Sequence, residues 1–130
     1  MSRQLPTGTL TRERCYITEL LNSPLHPEIS VARARVRPDV TTELHRLTVA
    51  EWYVIEQGVG FMQVGENPAF RVRPGAIVAI PPHVVQRIRN TGSDDLLFLC
   101  VCAPRFTIDC YNAATHQEEN IDVWPKSNKQ

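Results

Sequence analysis

Apolar residues recur along this chain at every second position in short runs, and no run keeps a helical period beyond two turns. Successive side chains of a strand point to opposite faces. In VARARV, Ala32, Ala34 and Val36 therefore share one face, while Arg33 and Arg35 take the other. AFRVR sets Phe70 and Val72 against Arg71 and Arg73, and VVQRIR sets Val84, Gln86 and Ile88 against Arg87 and Arg89. Strand-like segments cover residues 15–20, 29–36, 41–47, 51–57, 60–64, 69–73, 76–80, 84–90 and 95–102. They are rich in Val, Ile, Phe, Tyr and Thr and bounded by Pro, Gly, Asn and Asp. Short strands at this spacing predict an all-β sandwich or barrel. The head (1–13) and the tail after Pro104 are less patterned. A short helix is expected near 111–119 and a frayed end after it, with Trp124 docked on the barrel or on a partner subunit.

Length and charge narrow the picture. The 130 residues suit one domain, with a core at about 15–104 and a tail at 105–130. Fourteen basic and fourteen acidic residues cancel, which gives bulk charge no role in attracting nucleic acid or a membrane. The N-terminal MSRQLPTGTLTRER has no apolar run, so neither a signal peptide nor a membrane span is expected, and the expected location is cytoplasmic with reduced thiols. Cys100 and Cys102 form C-x-C rather than C-x-x-C, and zinc-ribbon and redox templates fail. They share one strand face, as small core residues or, if that face turns inward, as a soft metal ligand.

Candidate chemistry centres on ELHRLTVAEWYVIEQG, residues 43–58. In a straight strand His45 and Glu51 would lie roughly 20 Å apart, too far to share a ligand. They meet only if the chain folds back within Leu47–Ala50, and the expected arrangement pairs 41–47 with 51–57 around a closed cavity.

Residues 39–58 resemble the first cupin motif (G, five residues, H-x-H, three or four residues, E, six residues, G), reading Asp39, His45, Leu47, Glu51 and Gly58. Residues 75–90 resemble the second (G, five residues, P-x-G, two residues, H, three residues, N), reading Gly75, Pro81, His83, Gln86 and Asn90. The similarity spans about 29–104. It implies a double-stranded β-helix (jelly-roll) barrel, often a homodimer, in which the motif histidines and glutamate hold one divalent metal.

Carried over by position, the metal set is His45, Glu51 and Gln86, with Leu47 replacing one histidine and Gln86 another. Such a thin set suits Mn, Fe or Ni, with Zn less tolerant of the amide. The alternative is a metal-free cluster in which Gln86 bonds Glu51 or His45. Glu51 would then act as a general base raised in pKa by burial, with Tyr53 lining the cavity beside it. His83 falls at the barrel rim, and Trp52 on the exterior or at a dimer contact. The resemblance implies either an enzyme on a small polar molecule (isomerase, cyclase, decarboxylase or dioxygenase type) or a non-catalytic binding module for a sugar or carboxylate.

Overall fold

The computed structural model describes residues 9–11, 14–121 and 123–124. The chain forms two antiparallel sheets. The first holds β1 (Thr9–Leu10), β2 (Tyr16–Leu21), β3 (Ser30–Val36), β5 (Ala50–Gln57), β8 (Ile77–Ile80) and β10 (Leu96–Ala103), in the order β1-β2-β3-β10-β5-β8. The second holds β4 (His45–Leu47), β6 (Gly60–Val64), β7 (Phe70–Val72), β9 (Gln86–Asn90) and β11 (Tyr111–Ala113), in the order β11-β4-β9-β6-β7. Their inner faces close over Val36, Ile55, Met62, Ile88, Leu96 and Phe98, all buried. Alternation in the sequence explains this core: Ala34, Val36, Val72, Gln86 and Ile88 are inward, and the intervening arginines are not. This is a double-stranded β-helix.

The fold-back at Leu47–Ala50 occurs, but it does not make a hairpin. β4 pairs with β9 and β11, whereas β5 pairs with β10 and β8. The chain changes sheets at Thr48–Val49, where the Thr48 amide donates to the Cys110 carbonyl at 2.9 Å. His45 and Glu51 thus belong to different sheets.

The motif glycine places filled by Asp39 and His83 keep the backbone a glycine would give, at φ of 67° and 70°. Asp and His are among the few residues that tolerate this left-handed region. Asn90, fully buried, ties the chain together: its side-chain amide donates to the carbonyls of Val36 and Asp94 and its oxygen accepts from the Gly92 amide, each at 2.8 Å.

β3 is paired on both sides, with β2 and β10. One further expectation changes. The tail holds a strand, β11, before a single helical turn, α1 (His116–Glu119); the helix is confined to that turn because Tyr111–Ala113 pairs with β4 instead. A capping box between Thr115 and Glu118 starts α1, and an Arg46–Glu118 ion pair ties it to β4. Trp124 docks on the barrel under the Arg87 guanidinium, 5.0 Å from its ring centroid. The frayed end expected after it lies outside the described residues.

Candidate functional site

His45, at the start of β4, is buried and lies opposite Gln86 of β9. Opposed residues of an antiparallel pair share a face, so imidazole and amide project into the same interior. The His45 ring is held twice. It stacks on Tyr111, with centroids 4.6 Å apart and planes at 15°. Its Nδ1 lies 2.7 Å from the Glu43 carbonyl oxygen. A carbonyl can only accept, so Nδ1 carries a proton, and in the neutral ring Nε2 keeps the lone pair. Tyr111 donates its hydroxyl to the Glu43 carboxylate at 2.6 Å, fixing the stacking ring in turn.

Glu51, on the facing sheet, is 6 % exposed. Its Oε1 accepts from Gln86 Nε2 at 2.8 Å, and its Oε2 lies 3.7 Å from Cys102 Sγ. Cys102 sits opposite Glu51 in the β10–β5 ladder, so this contact follows from register. Burial pushes the Cys102 thiol well above its ordinary range, and the neighbouring Glu51 charge pushes the same way. The thiol therefore stays protonated and donates. Gln86 is fully buried, and its Oε1 has no partner among the described residues.

A cavity of about 190 Å³ opens over this floor. His45 and Glu51 line it, and apolar side chains make most of the remaining wall, including Leu47, Tyr53, Phe98, Cys100 and Phe106. Tyr53 and Phe98 pack as a tilted pair at 4.4 Å. No lysine or arginine lines the cavity among the described residues, whereas Glu19 and Glu51 do.

Residues 32–102 match the family model described as a cupin domain. The chain belongs to the cupin family. This cupin is 33 % identical over 101 residues to an uncharacterised protein of Methanocaldococcus jannaschii, a match covering 75 % of this chain and 80 % of that protein. Among solved structures it is similar to a conserved protein with a double-stranded β-helix domain from Klebsiella pneumoniae (TM-score 0.71, 16 % identity, 88 % of this chain and 99 % of that one). It is also similar to oxalate decarboxylase from Bacillus subtilis (TM-score 0.68, 20 % identity), covering 76 % of this cupin but only 28 % of that chain. At these identities the structural likeness is one of fold.

The site residues carried over from the motifs do come together: Gln86 bonds Glu51 and faces His45. As a metal centre they do not fit. Among the described residues no three His, Cys, Asp or Glu side chains converge in a geometry that holds an ion. Leu47 presents an aliphatic wall where a second imidazole is needed, and Gln86 turns its NH₂, a donor, toward Glu51. His83 is exposed at the rim, its amide donating to the Leu47 carbonyl at 2.7 Å. Sequence reasoning missed Glu43, Tyr111 and the Cys102–Glu51 contact. The alternation of Cys100 and Cys102 with Val101 was a signal for the last; Tyr111 enters through the β11–β4 pairing, which no local pattern announces.

Proposed function

We propose that this cupin binds a small neutral organic molecule in its barrel without a tightly held metal, with His45 and Glu51 as the polar floor. The observation that supports this reading most is that both carboxylate oxygens of Glu51 already face donors from this chain, Gln86 and Cys102. A carboxylated ligand would meet Glu19 and Glu51 with no cation in the lining among the described residues, and burying an unpaired charge is costly. Likewise, a sugar would have to leave most of its hydroxyls against apolar walls. A fragment screen read by amide chemical shifts tests the reading. Neutral fragments should perturb Tyr53, Phe98 and Cys102 together; hits confined to the exterior, or a stoichiometric divalent ion in protein purified without chelator, would overturn it.

A second reading, proton transfer of the isomerase type, is favoured by the tautomer at His45. An oriented imidazole with a bare Nε2 is what a general base requires, and Glu51 and Tyr53 border the same space. Deuterium incorporation from D₂O into a bound ligand, lost in His45→Gln, would distinguish it from simple binding. The reading includes a homodimer. On the outer face of the first sheet Val31, Val101, Trp52 and Ala79 form one cross-strand row, and Ile77 on the next row is 67 % exposed. Trp52→Glu should halve the mass seen by light scattering; an unchanged mass would remove this face from the interface.

A further inference from the structure

We infer that the molecule this barrel takes is a single six-membered ring bearing one hydroxyl group, an alicyclic alcohol or a phenol, whose O–H donates to Nε2 of His45. The inference rests on the reading that the barrel holds a neutral ligand, and it adds size, shape and the polarity of one group.

Size comes from the cavity. An apolar protein cavity of about 150 Å³ takes up benzene. The cavity here is about 190 Å³. The excess, about 40 Å³, holds one or two further heavy atoms, and a second ring would have to lie outside the walls. Shape comes from the walls. Tyr53 and Phe98 present a tilted aromatic pair, and Phe106 and the His45-stacked Tyr111 line the same space. Flat, rigid surfaces of this kind suit the faces and edges of a ring more than a flexible chain.

Polarity comes from the hydrogen bonds of the floor. Nδ1 of His45 is committed to the Glu43 carbonyl, and each Glu51 oxygen faces a donor of this chain. On His45 this leaves the Nε2 lone pair, which accepts and does not donate. A ligand group that donates a hydrogen bond while staying neutral fits it, and a hydroxyl is the smallest such group. A bare acceptor, such as a ketone or ether oxygen, finds no matching donor at that nitrogen. A carboxylate meets the same lone pair and, among the described residues, the Glu51 carboxylate in the same lining.

Binding to the full chain, followed by calorimetry and by amide shifts of Tyr53 and Phe98, tests this with six probes: cyclohexanol, phenol, methylcyclohexane, toluene, benzoate and benzylamine. Cyclohexanol and phenol should each bind at least tenfold more tightly than methylcyclohexane and toluene, because a site that hydrogen-bonds a hydroxyl rejects the analogue lacking it. Benzoate should bind at least tenfold more weakly than the alcohols; benzylamine brings a cation to the Glu19 and Glu51 carboxylates and is the probe that decides whether the ligand is neutral. His45→Phe should remove the preference of the alcohols over the hydrocarbons while leaving hydrocarbon binding within about twofold. If that variant does not fold, the wild-type ranking alone decides. A tighter benzoate or benzylamine, or hydrocarbons equal to the alcohols, would overturn the inference and leave the neutral-ligand reading to the fragment screen. Absence of any probe or fragment from the cavity would remove both.

Discussion

Replacing Glu51 and Gln86 by leucine, singly and together, measures how far these two side chains depend on each other. Gln86 is fully buried and Glu51 nearly so, and the amide donates to the carboxylate at 2.8 Å. Hydrogen bonds to charged groups contribute about 1.5–3 kcal/mol, and a buried polar group stranded by loss of its partner costs about 1–3 kcal/mol. Glu51→Leu strands Gln86 Nε2 beside an Oε1 that already has no partner, so a loss of about 1–3 kcal/mol is expected. Gln86→Leu takes a donor from Glu51 but also deletes the orphaned Oε1. Its net cost is accordingly smaller, about 0–2 kcal/mol. The double variant removes the whole pair and leaves leucines of similar volume. Replacing both partners of a buried polar pair is often nearly neutral, so its stability should return to within about 1 kcal/mol of the parent. The cycle therefore predicts a coupling energy of about 1.5–3 kcal/mol. Urea unfolding at pH 7, with unchanged m-values as the check on a common native state, supplies the four stabilities. Losses that simply add, with coupling below about 0.5 kcal/mol, would refute the claim that amide and carboxylate form one unit.

Three other outcomes follow from the same geometry. The Cys102 pKa is raised in the fold, so its contribution to stability is intact below the unfolded value of 9.0 and is lost as pH rises above it. Burial raises the Cys110 thiol as well, so unfolding curves between pH 8 and 10.5 should show a fall that becomes shallower by up to about 1.4 kcal/mol per pH unit in Cys102→Ala; a slope unchanged in Cys102→Ala would assign the fall elsewhere. Glu118 is shifted the other way, chiefly by the backbone amide of Thr115, with Arg46 adding to it. A depressed carboxyl stabilises above its unfolded value of 4.5 and loses that contribution as pH drops through the folded one. The Thr115 amide resonance should therefore shift below about pH 4.5, and Arg46→Ala should move that midpoint upward; an unmoved midpoint would mean Arg46 does not hold α1. Finally, Leu47→His combined with Gln86→His should create divalent-ion binding at least 100-fold tighter than in the parent, read by calorimetry with Ni²⁺. Equal affinities would mean that positions 47 and 86 do not face His45 and Glu51.

Much of the fold was legible because period-two alternation is a local property. The inward sets Ala34–Val36 and Gln86–Ile88 could be read from the residues alone, and the burial pattern follows them. Motif spacing also brought His45, Glu51 and Gln86 together. Strand pairing is different, because it depends on which remote segment closes the sheet. The reversal at Leu47–Ala50 looks like a hairpin in sequence, yet β4 and β5 find their neighbours in separate sheets. For the same reason the tail read as a helix although Tyr111–Ala113 completes the second sheet, carrying the ring that stacks on His45. The apolar character of the cavity was hidden as well, since its walls are assembled from strands more than 80 residues apart in sequence, from Ile17 to Phe98 and beyond.

The central claim is that His45 offers a bare, fixed Nε2 to a metal-free cavity. Side-chain ¹⁵N spectra of His45, taken in protein purified without chelator and then with cyclohexanol added, test it directly. Nδ1 should be protonated and Nε2 unprotonated, with an Nε2 resonance that moves on addition of the alcohol and stays put on addition of methylcyclohexane. An Nε2 that carries the proton, is bound to a metal in the purified protein, or ignores the alcohol at saturation would contradict it.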